Sequence, residues 1–470
     1  KDCVYIVEHS EAVGALVEDE IQRAKIDSAP LMHVLTYADL DELAARGREY
    51  EAANPAALDA GIEGIVEDDL YTYIYTSGTT GPPKACMLSH RNYYAMTTVV
   101  DELPAFTLGG DTMLLYLPLA HNFGRLMHLL GPYAGFTIAF CPDPLQAGAA
   151  LKAVRPTVFP SVPRVYEKTH TAVLVQFEVA TGLKRKLIDW ALAVGREASA
   201  LRQAGRPLPR WLAVRHAIAD RLVYSKIKAK LGGRLRIGIS GGAPLSQEVA
   251  EFFHAIDVLI LEGYGLTECT TAACVNRPDR FRFGTVGPAL PGFELRLAGD
   301  GELLIRSETI FGGYFKDPEA TAAVLTDDGW LLSGDVAEID ADGFVRITDR
   351  KKDILVTAGG KNVAPQNIEN LLKGSRLVSQ ALVVGDRRPY VAALITLEEA
   401  ARELPDIEDK IQEVVDGVNA ELSRYEQIKR FTILPRDFSA EQDEITPTLK
   451  LKRRVCQQPF AAEIDTLYAA

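Results

Sequence analysis

Between residues 70 and 265 short apolar runs alternate with helical stretches, and that alternation confines this part of the chain to α/β layering. Strands are expected at Tyr71–Tyr75, Met113–Leu119, Thr137–Phe140, Pro156–Phe159, Arg234–Ile239 and Val258–Leu261, with a helix over Phe123–Leu130. Residues 183–231 read as long amphipathic helices. Their outer faces carry Lys184, Arg185, Lys186, Lys226, Lys228 and Lys230, charges that a solvated face explains. After Thr285 the pattern changes to short strands at 293–306 and 330–348, punctuated by Gly-Asp and Asp-Gly turns, as in a β-rich subdomain. A charged knot, Asp349-Arg350-Lys351-Lys352-Asp353, precedes a smaller α+β unit. That unit holds a helix at Asn367–Leu372, a hairpin of Ala381–Val384 with Val391–Leu397, a helix over 408–424 and a strand at Phe431–Leu434. The expected organisation is therefore a large α/β domain of layered sheets and helices (1–348), a hinge (349–353) and a small, mobile α+β C-terminal domain (354–470). Ahead of it, a helix over Glu11–Ile26 and an acidic, alanine-rich 39–60 stretch are read.

The 470 residues suffice for about three domain-sized units, or one large and one small. A formal net charge of −13 argues against general nucleic-acid affinity, since phosphate backbones would repel the chain. No apolar run has the length of a membrane span, so any membrane contact would be peripheral. The six cysteines are scattered, without a C-x-x-C pair or a histidine cluster, which reads as reduced thiols in a cytoplasmic protein. Cys269 and Cys274 read as small buried hydrophobes. The chain begins at Lys1 with no methionine and no signal-like stretch, which suggests a trimmed or partly represented N-terminus.

The strongest chemical signal is Thr76-Ser77-Gly78-Thr79-Thr80-Gly81-Pro82-Pro83-Lys84, directly after the first strand. Its hydroxyls and backbone N–H groups can face a polyphosphate, and Lys84 adds a point charge. A polar strand-to-helix turn is the plain alternative. The pattern lacks the Gly-Lys-Ser/Thr ending of the common nucleoside-triphosphatase loop, because Ala85 follows Lys84, which argues against a kinase or ATPase of that class.

Five further segments point the same way. Leu117-Pro-Leu-Ala-His121 places a histidine at a strand end, where open α/β sheets bind ligands. Gly241-Gly242-Ala243-Pro244 and Glu262-Gly263-Tyr264-Gly265-Leu266-Thr267-Glu268 are turns after strands; a flat base could lie between such a glycine backbone and the Tyr264 ring. Glu268 could hold a hard cation such as Mg²⁺. Ser333-Gly-Asp335 puts a carboxylate after a turn, suited to accepting hydrogen bonds from ribose hydroxyls. Thr446-Pro-Thr-Leu-Lys450-Leu-Lys-Arg-Arg454 is a basic patch near the end of an acidic chain.

In this order these segments resemble the acyl-adenylate-forming enzymes: acyl-CoA synthetases, peptide-synthetase adenylation domains and firefly-type luciferases. The likeness runs from about residue 70 to 455. Asp349-Arg-Lys-Lys-Asp-Ile354, Gly359-Gly360-Lys361-Asn-Val-Ala-Pro365 and the Thr446–Arg453 segment lean toward the long-chain fatty acyl-CoA synthetase branch. The resemblance implies ATP-dependent conversion of a fatty acid to acyl-AMP, then transfer to the thiol of coenzyme A. It implies that the Thr76–Lys84 loop holds the β- and γ-phosphates, Thr76 and Glu268 carry Mg²⁺, Gly242–Pro244 with Glu262–Thr267 seat the adenine, and Asp335 and Arg350 hold the ribose. Lys450 would reach the α-phosphate and carboxylate oxygens, His121 would position the carboxylate, Asp349 would be the pivot, and Gly359, Gly360 and Lys361 would border the thiol channel.

Two departures bear on acyl preference: Asn122 and Gly124 stand where bulkier residues are common, and Ala85 replaces a usual glycine. The lead-in before Tyr71 is also shorter than usual, through either a missing N-terminus or a short form. A fatty acyl-AMP ligase loading a carrier protein, and a catalytically weak acyl- or nucleotide-binding relative, stay open as alternatives. Acyl chain length and oligomeric state are not legible.

Overall fold

The computed structural model describes residues 2–76, 82–103, 110–439, 441–442, 444–445 and 451–469. They fall into two compact units: Lys1–Met96 with Glu308–Asp327, and Thr97–Ser307 with Asp328–Ala470.

In the first unit, Leu70–Thr76 and Lys84–Ser89 form an antiparallel pair in which Thr76 lies opposite Lys84. The Thr76–Lys84 segment therefore joins two strands and not a strand to a helix; the helix begins only at His90. Residues 308–327 lie along the second strand. Met87 N donates to Gly313 O, Phe315 N donates to Ala85 O, and the Asn92 side chain donates to the carbonyls of Glu308 and Ile310. Upstream, the expected helix over Glu11–Ile26 does not form. Instead Gly14–Val17 pairs in parallel with His33–Thr36, and a short helix, Glu20–Arg23, starts at Asp19, whose carboxylate accepts from Gln22 N. Gly14 and the valines at 13 and 17 favour extended backbone over helix, and Asp19 restarts the chain as an N-cap. The 39–60 stretch forms the helices Leu40–Ala53 and Ala57–Glu63, neither of which buries a residue.

The second unit is built on a six-stranded sheet in the order Cys274–Val275, Leu259–Tyr264, Ile237–Ser240, Val158–Ser161, Thr112–Leu115, Thr137–Phe140. Five strands run parallel, and Cys274–Val275 pairs antiparallel at one edge. Phe159, Ile237, Ile260 and Leu114 fill its centre. The helix Pro163–Glu178 packs on it through the fully buried Tyr166, whose hydroxyl donates to Phe159 O at 2.7 Å. Gly238 admits that ring, since a β-carbon there would stand 2.7 Å from the Tyr166 oxygen. All parallel strands deliver their C-terminal ends to one rim, where α/β sheets place ligand-binding turns.

The β-rich segment is a four-stranded antiparallel sheet of Glu294–Leu297, Glu302–Arg306, Leu331–Ile339 and Val345–Arg350. The C-terminal segment carries a three-stranded sheet: Val378–Val384 and Val391–Leu397 are a hairpin, and Ile428–Ile433 joins in parallel. Both hairpin strands are covered on both faces, which explains their unbroken apolar character. Ala381, Val383, Ala393 and Ile395 pack with Ile368, Leu372, Ile411 and Val415, while Leu382, Val384, Ala392 and Leu394 meet Phe438, Cys456, Phe460 and Leu467. Arg164, at the start of the Pro163–Glu178 helix, donates to Ser379 O at 2.9 Å, Ser379 Oγ at 2.8 Å and Glu398 Oε1 at 3.0 Å. Among the described residues no helix is long and apolar enough to cross a membrane.

Candidate active site

Asp335 is the centre of the best-formed constellation. It lies within a strand, not after a turn as its Ser-Gly-Asp context suggested, and its register partner on the neighbouring strand is Arg350. The pairing puts both side chains on one face, where Arg350 Nε sits 3.1 Å from Asp335 Oδ1. Tyr264, at the end of its parallel strand, donates its hydroxyl to Asp335 Oδ2 at 2.5 Å. Burial, reinforced by the Asp335 charge, lifts the Tyr264 phenol far above its ordinary range, so it remains a donor. Burial works against the Arg350 charge, but the Asp335 carboxylate, with the Tyr264, Asp353 and Glu268 groups, outweighs it and raises that pKa. A buried carboxylate with two fixed partners is a rigid acceptor for a hydroxylated ligand.

The turns around this carboxylate are tied together. Leu245 N, one residue past Pro244, donates to Glu262 Oε1 at 3.0 Å, so the Gly242–Pro244 turn is anchored to the strand that ends in Tyr264. Desolvation pushes the Glu262 carboxyl up to about 8, opposed by that backbone hydrogen bond. Gly242 has φ +86°, and a β-carbon there would meet open space. Gly265 is demanded by close approach: a β-carbon would stand 1.9 Å from Thr271 O. Thr267 begins the short turn Thr267–Cys269, and Thr271 Oγ1 donates to Asn122 O at 3.2 Å. Cys269 and Cys274 are buried, as expected, and burial pushes the Cys269 thiol up to about 12.

His121 is the N-cap of the helix Asn122–Ala134; its Nδ1 accepts from Phe123 N at 3.4 Å. The Phe123 ring lies 3.4 Å from where a Gly241 β-carbon would stand, so the His121 and Gly241-Gly242 turns are neighbours on the rim. Gly124, one of the departures from the family pattern, has a local cause. A β-carbon there would stand 2.5 Å from Pro118 O, so this helix starts too close to the preceding strand exit for a side chain.

Asp349, expected as the pivot, is the penultimate residue of the strand Val345–Arg350 and is buried. Its carboxylate accepts from Arg350 N at 2.6 Å and from Gln366 N at 3.3 Å, in the first turn of the helix Pro365–Lys373. Burial lifts its pKa to about 7, against the pull of those two N–H groups. Gly359, Gly360 and Lys361 form the tip of a ribbon between Leu355–Val356 and Asn362–Val363, with Gly360 at φ +70° and Lys361 Nζ over the Tyr425 ring at 5.8 Å.

The remaining expected residues lie in the first unit or outside the described residues. Thr76 and Lys84 belong to the first unit: Thr76 Oγ1 contacts Lys84 O at 3.4 Å, and Lys84 Nζ lies 3.7 Å from Asp317 Oδ2 and 5.1 Å from the Tyr314 ring centre. Ser77, Gly78, Thr79, Thr80, Gly81 and Lys450 lie outside the described residues. The chain that flanks Lys450 is described. Ile445 and Leu451 bridge, and the Glu444 carboxylate is clamped by Arg436 at 2.6 and 2.7 Å. Sequence reading missed that clamp, and it missed Arg164. Neither stands in a recognisable pattern: Arg436 meets Glu444 across a tight local loop, and the partners of Arg164 lie more than 200 positions away. The donor set expected for a divalent cation, the Thr76 hydroxyl and the Glu268 carboxylate, is all oxygen and fits a hard ion.

The AMP-binding enzyme family matches residues 1–315, and the AMP-binding enzyme C-terminal domain matches 352–470. The long-chain-fatty-acid–CoA ligase FadD15 of Mycobacterium bovis is 36% identical over 508 residues, spanning 99% of this chain and 81% of that protein. The human long-chain-fatty-acid–CoA ligase ACSBG2 is 31% identical, over 99% of this chain and 78% of its own length. Among solved structures, the adenylation domain of a Mycobacterium chelonae carboxylate reductase matches all of this chain and 75% of its own with TM-score 0.76 at 24% identity. The Bacillus subtilis O-succinylbenzoate coenzyme A synthetase with AMP matches 96% of this chain and 80% of its own at TM-score 0.66 and 18% identity. The chain belongs to the AMP-binding, acyl-adenylate-forming enzyme family, on its long-chain acyl-CoA ligase side.

Proposed function

We propose that this chain is an AMP-forming fatty acyl-CoA ligase. It joins a fatty acid carboxylate to ATP, giving acyl-AMP and pyrophosphate, and then passes the acyl group to the thiol of coenzyme A with release of AMP. The observation that carries the reading is the Tyr264–Asp335–Arg350 constellation beside the Gly242–Pro244 turn, a prebuilt acceptor for ribose hydroxyls next to a glycine-walled slot for a base. Asp335 accepts the two hydroxyls with Arg350 beside it, and Tyr264 and Gly242–Pro244 flank the adenine. Lys84 and the Thr76–Gly81 loop grip the leaving pyrophosphate. A bound Mg²⁺, held by Thr76 and Glu268, would neutralise phosphate charge. His121, fixed as a helix cap, borders the path of the carboxylate. Lys450 neutralises the charge that develops where carboxylate and α-phosphate meet; in such a displacement, stabilising that charge lowers the barrier most. Asp349 is the pivot about which the C-terminal segment reorients between the half-reactions, bringing Gly359–Lys361 to the thiol path.

An AMP-release assay with acids from acetate to oleate, and with benzoates, tests the reading in the presence and absence of coenzyme A. Acid-dependent AMP release with thioester formation is expected, and the longer fatty acids should be preferred. Acyl-AMP that accumulates without thioester would reject the acceptor. Lys450→Ala should lower ATP–pyrophosphate exchange by about 10²–10³ while leaving thioester formation from preformed acyl-AMP largely intact; equal losses in both would contradict its role.

A further inference from the structure

The helix Arg210–Ala219 carries apolar side chains on a second side besides its buried one. Its inner side, Leu212, His216 and Ala219, is buried, and the helix packs against Gly182–Gln203 and its own continuation, a wider turn at Asp220–Tyr224. Its outer side is apolar too: Trp211, Val214, Ile218 and Leu222 are 52%, 61%, 47% and 41% exposed. Their spacing of three or four residues lines them up as one stripe. A helix apolar all round normally lies inside a protein, so an outward stripe of this length marks a docking surface.

The charge around the stripe identifies the occupant. Between Ala198 and Gln247 the chain carries ten Lys and Arg against a single acidic residue, Asp220, although its overall charge is −13. Asp220 is engaged by Lys228 at 2.6 Å. Arg206, Arg210, Arg221 and Lys226 are exposed and have no ion pair among the described residues. Arg215 stacks its guanidinium between Trp190 and Trp211, 5.9 and 5.6 Å from the ring centres, and fixes Trp211 at the surface. Aromatic and aliphatic side chains flanked by unpaired cations match the headgroup boundary of an anionic bilayer. A second copy of this chain fits poorly, because a two-fold contact through this face would set Arg210, Arg221 and Lys226 against themselves.

We propose that the outer face of residues 210–226 is a peripheral docking surface for an anionic lipid bilayer. Resting on the fatty acyl ligase reading, it would place the enzyme where an insoluble fatty acid is dissolved. Flotation of the full chain with vesicles of mixed phosphatidylcholine and phosphatidylglycerol, or of phosphatidylcholine alone, tests this. Binding to the mixed vesicles is expected, weaker at high salt and much weaker on phosphatidylcholine alone. Trp211→Ser combined with Ile218→Ser should weaken it at least about tenfold, and Arg210→Gln or Arg221→Gln about fivefold each. Lipid carrying a nitroxide in its acyl chain should quench the emission of the wild-type chain far more than that of Trp211→Phe. Absence of binding to the mixed vesicles, equal binding by the variants, or equal quenching in Trp211→Phe would overturn the proposal. So would a dimer at sedimentation equilibrium that the same substitutions abolish, which would assign the face to a second copy. Binding is read without catalysis, so a chain that docks but releases no AMP would sink the ligase reading alone.

Discussion

The carboxylate of Asp335, proposed to hold the ribose, and the ammonium of Lys84, proposed to hold phosphate, are built to different standards. Asp335 is 3% exposed and held by two partners from two separate strands at 2.5 and 3.1 Å. Lys84 is more than a third exposed, and its carboxylate partner Asp317, equally exposed, is 3.7 Å away. The first is a fixed template whose shape exists before any ligand arrives. The second is a charge on a flexible stem, with a loose ion pair that contributes little to stability and is easily exchanged for a phosphate. On the proposed reading, recognition of the nucleoside falls to rigid strands, and the grip on the leaving group to a side chain that can move with it.

Substitution at the two sites should separate stability from activity. Asp335→Ala removes the carboxylate that the Tyr264 hydroxyl donates to and the nearest counter-charge of Arg350. It should lower both nucleotide affinity and folding stability, the latter by about 1–3 kcal/mol, with kcat/KM falling about 10²–10³. Denaturant titration beside pyrophosphate exchange would measure both, and a stable but inactive Asp335→Ala would break the contrast. Lys84→Ala should cost about 10² in exchange rate but under about 1 kcal/mol of stability. A clear drop in its unfolding midpoint would show that the Asp317 pair is structural.

Acidity sharpens the same contrast, because the rigid side carries the perturbed groups. The Glu262 carboxyl sits at about 8 in the fold, above its ordinary value of 4.5, and Asp349 sits at about 7. Groups raised by folding contribute stability that is complete below the unfolded pKa and is lost as pH climbs through the folded pKa. Stability should therefore decline from about pH 5 to pH 8, by less than about 1.4 kcal/mol per pH unit for each group. Glu262→Gln keeps the acceptor for Leu245 N and removes one titration, so it should flatten the decline. An unchanged slope of denaturation midpoint against pH would contradict the burial of that carboxyl.

What was legible in the sequence was whatever is periodic or locally punctuated. Thr137–Phe140 was placed to the residue, and the hairpin around Asp386 and the turn-rich 293–348 region were found, because alternation and turn residues are local. The Glu11–Ile26 helix failed since Gly14–Val17 is a strand only through His33–Thr36, a partner that composition does not reveal. Tyr264, Asp335 and Arg350 were each named, yet their union depends on a register between two antiparallel strands. For that reason the sequence places Asp335 after a turn, although it lies within a strand. Arg164 was missed altogether, because its meaning lies in Ser379 and Glu398, more than 200 positions away.

Arg164 yields the smallest and most specific expectation. Its guanidinium contacts the Ser379 carbonyl and hydroxyl and the Glu398 carboxylate. Ser379 Oγ donates in turn to Asp437 at 2.5 Å, and Thr396 Oγ1 donates to the same carboxylate at 2.6 Å. The helix behind the parallel sheet is thus fastened to the C-terminal sheet in the orientation seen here. If Asp349 is the pivot of a reorientation, this bridge has to open once per turnover. Arg164→Ala removes three hydrogen bonds that favour one orientation, and a bias of about 1–1.5 kcal/mol is a five- to tenfold shift in population. The adenylation and thioester-forming rates should then change severalfold in opposite directions, and Glu398→Gln should produce a weaker shift of the same sign. Parallel changes in both rates, at unchanged stability, would mean that the bridge holds the fold together and does not select between its orientations.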